Sequence, residues 1–180
     1  MERRLPRWSE LRDLARPRPL SGNATDRRLA AAATVGDLRE IARRRVPRAV
    51  FDYTDGAASA EISLRRSREA FERVEFCPSV LRDVSVVDPS TTLLGGPSSL
   101  PLAFAPTGFT RLMHTEGEIA VGRVAERIGI PYALSTMGTT SVEALASAAP
   151  GARRWFQLYL WKDREASAAL GERARAAGYE

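Results

Sequence analysis

The sequence is short of the side chains that build disulfides and most metal sites. Its 180 residues contain one cysteine, Cys77, and one histidine, His114. A single cysteine excludes an internal disulfide and a cysteine-cluster metal site, and it fits a reducing compartment such as the cytoplasm. We therefore predict no metal ion and a cytoplasmic location.

Long apolar runs and lysines are also scarce. No segment approaches the ~20 apolar residues of a membrane-spanning helix, and the N-terminus has no apolar core of signal-peptide length. Lys162 stands alone against 26 arginines. The net charge of +5 is uneven, because residues 1–50 carry +7 and residues 51–180 carry −2. No zinc, RNP or helix-turn-helix signature accompanies the arginines, so we predict no nucleic-acid partner.

Residues 1–33 have the composition of a basic, proline-containing arm. Leucine and tryptophan recur there every three residues, which indicates a short amphipathic helix around residues 8–16. Its apolar face has two possible uses. It packs on the rest of the protein, or it supports a peripheral contact with the inner membrane.

Residues 34–100 are predicted to form a helical and extended lead-in segment. Thr34 and Asp37 have the spacing of a capping box, which predicts a helix start. Pro47 opens a second short helix that Gly56 ends, and a third helix runs over residues 62–74. Residues 76–100 are extended and rich in turns.

From residue 101 onward, apolar runs alternate with helical patterns. The runs LPLAFA (100–105), IPYALS (130–135) and RWFQLYLW (154–161) have the length of strands. The pairs Thr115/Glu118 and Thr140/Glu143 have capping-box spacing and predict the next two helix starts. Asp163 is the predicted N-cap of the third helix.

This alternation predicts a parallel α/β sheet that is covered on both faces. An open doubly wound sheet and a (β/α)₈ barrel are both compatible with it. The dinucleotide fingerprint is missing after the first strand, which disfavours the Rossmann form of the open sheet. A closed barrel needs ~250 residues, whereas this chain supplies about three βα units. We therefore expect a fragment of a longer fold.

Five motifs in order carry a family resemblance: FDYTDGA (51–57), TTLLG (91–95), APTGFTRLMHTEGE (105–118), LSTMGTTSVE (134–143) and WFQLYLWKDR (155–164). Together they resemble the FMN-dependent α-hydroxy acid dehydrogenases and oxidases, and most closely the bacterial flavin-type L-lactate dehydrogenases. The resemblance covers residues 34–180. It implies the N-terminal part of a TIM (β/α)₈ barrel, with residues 101–180 as its first three βα units.

The resemblance also implies FMN as the cofactor. It implies oxidation of an L-2-hydroxy acid, with L-lactate favoured, to the 2-oxo acid by hydride transfer to FMN. The residues that match the family's flavin contacts are Ala105, Pro106, Thr107, Gly108, Ser135 and Gln157. The first four match backbone beside the isoalloxazine ring, Ser135 matches a hydrogen-bonding group, and Gln157 matches the amide at the pyrimidine edge.

Two tyrosines match the family's substrate contacts. Tyr53 matches the residue that binds the substrate carboxylate, and Tyr159 matches the catalytic residue that stabilises charge at the substrate oxygen. Without the resemblance, Tyr53 reads as a helix-surface residue and Tyr159 as a core aromatic. His114 is predicted to hold a turn, because the family's catalytic histidine corresponds to no residue of this chain. Met137 replaces an aromatic found in glycolate-oxidase-like members.

The family's remaining catalytic and phosphate-binding residues lie beyond this sequence. We therefore expect the 180-residue chain alone to be inactive. The alternative is a non-catalytic half-barrel remnant, or a subunit that needs a second chain. For the full-length protein we expect a homo-oligomer, and the electron acceptor is left open among quinone, cytochrome and oxygen.

Overall fold

The computed structural model describes residues 22–180, which divide into two compact units between Pro47 and Arg48. The predicted helix at residues 8–16 lies outside the described residues. The segment boundaries predicted at residues 33 and 100 stay predictions.

The first unit contains helices α1 (Ala24–Ala31) and α2 (Val35–Arg43). The predicted capping box at the start of α2 is confirmed. The Asp37 N–H donates to Thr34 Oγ1 at 3.2 Å, and the Thr34 N–H donates to Asp37 Oδ2 at 2.9 Å. These reciprocal bonds satisfy donors that a helix start otherwise leaves unpaired.

The second unit opens with helices α3 (Arg48–Asp55) and α4 (Ile62–Glu72). Helix α3 follows Pro47 as predicted, and Gly56 ends it by donating its N–H to the Asp52 carbonyl at 3.0 Å. Strands β1 (Thr91–Leu93) and β2 (Gly96–Ser98) then form a small antiparallel hairpin.

The rest of the second unit holds helix α5 (Thr110–Met113), helix α6 (Gly117–Ile128), strand β3 (Tyr132–Ser135), helix α7 (Val142–Ala148), strand β4 (Arg154–Gln157) and helix α8 (Arg164–Ala176). Strands β3 and β4 pair in parallel, with Ser135 opposite Gln157. The carboxyl ends of two consecutive strands therefore lie side by side, as the βα repeat requires.

The predicted first strand, LPLAFA at residues 100–105, is reduced to one bridge. Phe104 pairs in parallel with Tyr132: its N–H donates to the Pro131 carbonyl at 2.9 Å, and its carbonyl accepts from the Ala133 N–H at 3.0 Å. Pro101 and Pro106 flank this bridge and have no N–H to donate, which limits the length of the ladder. The run still takes the predicted place beside β3.

The core lies between β3 and the helices that flank it. Leu134, Leu145 and Ala125 are almost completely removed from water. The Tyr179 hydroxyl donates to the Val142 carbonyl at 3.0 Å, and burial raises the pKa of Tyr179 to about 12. Burial of this apolar set gives the largest stabilising contribution in the unit.

The two other predicted capping boxes are wrong. Helix α6 has no side-chain cap, because the Glu118 carboxylate turns to the segment after β3 instead. Helix α7 is capped by Ser141, whose hydroxyl accepts from the Ala144 N–H at 3.1 Å, and Glu143 pairs with Arg173 at 3.0 Å. In both cases a partner distant in sequence outcompeted the local bond.

Helix α8 begins where the sequence predicts. Asp163 accepts a hydrogen bond from the Ala166 N–H at 2.9 Å, which is the bond expected of an N-cap. Among residues 22–180, no helix is both long enough and apolar enough to cross a bilayer.

Candidate active site

A cavity of about 410 Å³ lies at the carboxyl ends of β3, β4 and the Phe104 run. This volume falls within the range of small-molecule pockets, ~300–1,000 Å³. Six of the residues singled out from the sequence line it: Tyr53, Pro106, Thr107, Gly108, Ser135 and Tyr159. The fold thus brings together residues that are up to a hundred positions apart in the chain.

One wall of the cavity is the first loop, residues 105–109, which follows the Phe104 bridge. It lies against the second loop, residues 136–141, which follows β3. The Phe109 N–H donates to the Met137 carbonyl at 3.0 Å, and Phe109 adopts a left-handed φ of 55°. A Cβ on Gly108 would lie 3.0 Å from the Met137 Cβ, so glycine allows the two loops this approach.

Ala105 lies next to this wall but does not line the cavity. Its side chain faces a separate apolar groove of about 440 Å³, together with Phe104 and Val124. The contribution of Ala105 to the cavity is therefore limited to the backbone that leads into Pro106.

A polar pair stands at the ends of β3 and β4. The buried Ser135 hydroxyl donates to Gln157 Oε1 at 3.1 Å and accepts from the Met137 N–H at 3.1 Å. Gln157 does not itself line the cavity, but Ser135 does. The bond to Ser135 uses the amide oxygen of Gln157 and does not use the two N–H donors of Nε2.

Tyr53 reaches the cavity from helix α3, and its side chain is largely exposed. The neighbouring Thr54 hydroxyl donates to Met113 Sδ at 3.1 Å, which links α3 to α5. This link fixes the helix that carries Tyr53 beside the first loop.

Tyr159 reaches the same cavity just beyond the end of β4. Its N–H donates to Thr136 Oγ1 at 3.0 Å, and that hydroxyl donates to the Gln157 carbonyl at 2.5 Å. One threonine hydroxyl therefore ties the end of β4 to the second loop. Sequence reasoning assigned no role to Thr136, since a threonine after a strand gives no sign of its partners.

His114 lies outside the cavity lining and serves a turn between α5 and α6. Its Nδ1 accepts from the Glu116 N–H at 3.3 Å, and its carbonyl accepts from the Gly117 N–H at 3.0 Å. These are the bonds of a residue that shapes a turn, the role expected from the sequence. Within residues 22–180 no cluster of three His, Cys, Asp or Glu side chains could hold a metal ion.

Glu118 is the polar residue near the cavity whose place the sequence analysis missed. Its carboxylate is fully buried and accepts hydrogen bonds from Thr139 and Thr140. Burial is the largest influence and raises the pKa of Glu118, but the hydrogen bonds together outweigh it and hold the pKa below its usual value. The consecutive threonines were visible in the sequence, but not which carboxylate they bind.

Comparisons with known proteins give the family. Residues 42–180 match the family described as FMN-dependent dehydrogenase. A putative L-lactate dehydrogenase of Mycobacterium tuberculosis is 51% identical over 180 residues, which are 100% of this chain and 44% of that protein. The glycolate oxidase of Spinacia oleracea is 41% identical over 146 residues, which are 81% of this chain and 39% of that protein.

A solved structure agrees with these relatives. Mandelate oxidase with 3,3-difluoro-2-hydroxy-3-phenylpropionic acid superposes with a TM-score of 0.77 at 40% identity, over 83% of this chain and 44% of that chain. The chain therefore spans about two fifths of the length of the relatives it matches.

The residues at the cavity fit the flavin that this family uses. Pro106 and Gly108 bring backbone to the cavity lining, and a flat ring can lie against such a surface. The Ser135 hydroxyl offers a hydrogen-bonding group at the lining, whereas Gln157 lies behind Ser135 and is bonded to it. The chain belongs to the FMN-dependent dehydrogenase family, with a fold that forms part of a TIM barrel and FMN as the family's cofactor.

Proposed function

We propose that the protein takes part in the oxidation of a small L-2-hydroxy acid to the 2-oxo acid, with L-lactate as the favoured substrate. The observation that carries this proposal is the single cavity lined by Tyr53, Tyr159 and the two loops. The identity of 51% to a putative L-lactate dehydrogenase supports the choice of lactate.

In this proposal the backbone of Ala105, Pro106, Thr107 and Gly108 binds the flat face of FMN. Ser135 and Gln157 bind its polar edge, with the Gln157 Nε2 group as donor. FMN, when bound, would supply the acceptor for the hydride from the substrate. The hydroxyl proton would pass to the family's catalytic histidine, which corresponds to no residue of this chain. The protein's own part is to hold the two reactants in contact and to exclude water.

In this proposal the two tyrosine hydroxyls bind different groups of the substrate. Tyr53 donates to the substrate carboxylate, and Tyr159 donates to the substrate oxygen as charge develops there. Donors fixed before the reaction stabilise such charge best where water is excluded. Met137 lines the same cavity with a half-exposed thioether side chain. Such a soft wall accommodates the methyl group of lactate.

An anaerobic absorbance spectrum tests the proposal. The FMN-loaded protein, with its completing polypeptide where binding needs one, is mixed with L-lactate, glycolate or mandelate. We expect loss of the ~450 nm flavin band, fastest with L-lactate. Tyr159→Phe is expected to keep FMN bound and to slow this loss by about 100-fold. An unchanged spectrum with all three acids, while FMN stays bound, would refute the proposed reaction.

A second candidate is a non-catalytic half-barrel or a subunit completed by another chain. Six large apolar side chains of residues 76–87 favour it, because all are strongly exposed: Phe76, Val80, Leu81, Val84, Val86 and Val87. Surfaces of this kind mark places where another polypeptide binds. We propose that the 180-residue chain alone binds FMN weakly and does not turn over, and the same spectrum, recorded on that chain alone, tests this.

The remaining partners belong to the same proposal. The electron acceptor is a quinone, a cytochrome or oxygen, and the full-length protein is a cytoplasmic homo-oligomer. Arginines of the first unit, among them Arg43, Arg44 and Arg45, support a peripheral contact with an anionic membrane surface. Sedimentation with anionic vesicles at low and high salt tests this contact, because screening weakens it.

A further inference from the structure

We propose that Glu118 is a positioning residue for the cavity, because its buried carboxylate fixes the second loop and, through it, the first. This inference rests on the proposed function, in which the two loops form the FMN-binding wall. Glu118 does not line the cavity, so any effect it has on FMN passes through other residues.

The Glu118 carboxylate is bonded to three donors of the second loop. Oε1 accepts from the Thr139 N–H at 2.7 Å. The Thr139 hydroxyl lies 2.9 Å from Oε1 and 2.7 Å from Oε2. The Thr140 hydroxyl donates to Oε2 at 2.9 Å. Two consecutive residues of the loop are thus held to one buried group.

The first loop receives its position from the second. The Arg111 N–H donates to Thr139 Oγ1 at 3.3 Å, which extends the chain of hydrogen bonds from Glu118 into helix α5. The Phe109 N–H donates to the Met137 carbonyl two residues before Thr139. Gly108 directly precedes these two attachments at residues 109 and 111, so Glu118 indirectly fixes the end of the stretch proposed to lie against the flavin.

An ionised carboxylate suits this position. It is an acceptor at both oxygens, and each oxygen can take more than one donor. Glutamine has the same shape, but its amide nitrogen would place two N–H groups among three donors. The first turn of α6 favours the negative charge, since the N-terminal end of a helix carries partial positive charge.

Glu143 offers a matched control. It also lies in the first turn of a helix, α7, and its carboxylate is also bonded, but to the exposed Arg173. Its carboxylate interacts with Arg173 and with Ser141 at the end of the second loop, and neither of these two residues lines the cavity. Glu143→Gln therefore repeats the chemical change of Glu118→Gln at a place where the proposal assigns no positioning role.

The experiment uses the FMN-free protein, together with its completing polypeptide where binding needs one. It is titrated with FMN, binding is followed by quenching of flavin fluorescence, and the absorbance spectrum of the bound flavin is recorded. Glu118→Gln is expected to raise the Kd for FMN by about tenfold and to shift the flavin absorbance bands. Glu143→Gln is expected to leave both unchanged. Thr139→Val should follow Glu118→Gln, and Thr139→Ser should restore the wild-type Kd.

Thermal unfolding of the FMN-free variants separates positioning from simple stability. A lower Tm for Glu118→Gln, with an unchanged Kd and an unchanged spectrum, would show a structural role only and overturn the proposal. If Glu118→Gln does not fold, the comparison of Thr139→Val with Thr139→Ser tests the proposal instead. Equal Kd values for FMN in these two variants would also overturn the proposal. Failure of the wild-type protein to bind FMN would instead contradict the proposed function.

Discussion

The two loops that form the cavity wall are ordered in different ways. The second loop follows a four-residue strand and is held by the buried side chains of Glu118 and Ser135. Its own Thr136 hydroxyl also bonds to the end of β4. The first loop follows a single bridge at Phe104. Its bonds to the rest of the wall run from the N–H groups of Phe109 and Arg111 to the second loop.

This difference shows that the two loops do not support each other equally. The second loop is built on the core, and the first loop takes its position from the second. Changes under the second loop should therefore disturb the whole wall, whereas changes in the first loop should stay local. Substitutions and pH can test this asymmetry.

The largest effect is expected from Leu134→Ala, which removes the core support of the second loop. Leu134 is 1% exposed, and its Cδ1 would lie 3.0 Å from a Cβ on Gly138. We expect the free energy of unfolding in urea to fall by about 2–5 kcal/mol. Leu112→Ala, at a half-exposed leucine beside the first loop, should cost less than about 1 kcal/mol. Equal losses would contradict the asymmetry.

A matched pair of glycine substitutions should give a smaller effect. In Gly138→Ala the new Cβ would lie 2.9 Å from the Ser135 carbonyl oxygen, which the strand holds in place. We expect it to destabilise the protein by about 1–3 kcal/mol. In Gly108→Ala the nearest atom is the Met137 Cβ at 3.0 Å.

The first loop can move away from that contact, so Gly108→Ala should cost under about 1 kcal/mol but weaken FMN binding. Urea unfolding measures the first quantity, and flavin fluorescence titration measures the second. A larger loss of stability for Gly108→Ala than for Gly138→Ala would reverse the assignment of the rigid loop.

The smallest effect on stability is expected from a change of pH, because burial raises the pKa of Glu118 while its hydrogen bonds lower it. The pKa of Glu118 is lower in the folded protein than its usual 4.5. Its contribution to stability is therefore complete above pH 4.5 and is lost as pH falls through the lower folded pKa. Unfolding midpoints of wild type and Glu118→Gln should converge as pH falls through this range. A constant difference between the two would contradict the linkage.

The sequence correctly predicted the caps of those helices whose first turn bonds to residues nearby in the chain. Thr34 with Asp37 and Asp163 cap their helices as expected, because the partners lie within four residues. Glu118 and Glu143 have the same capping spacing, yet their partners come from distant segments. Sequence spacing contains no information on such competition, so these two helices begin near the predicted positions but without the predicted capping boxes.

The strands and the site show the same limit. The run at 100–105 is apolar as a buried strand should be, but Pro101 and Pro106 leave one bridge. The family motifs singled out Ser135 and Gln157 separately, and only the parallel register places them opposite each other. The supporting residues Thr136 and Glu118 escaped prediction because their function depends on contacts between loops.

The exposed apolar run at residues 76–87 has a consequence for handling the protein. Leu81 and Phe76 are almost fully in contact with water, and each square ångström of apolar surface left there forgoes roughly 25 cal/mol of stabilisation. Pairing of this stretch with a neighbouring molecule recovers that free energy. Because such association depends on protein concentration, each binding or stability constant should be measured at several protein concentrations.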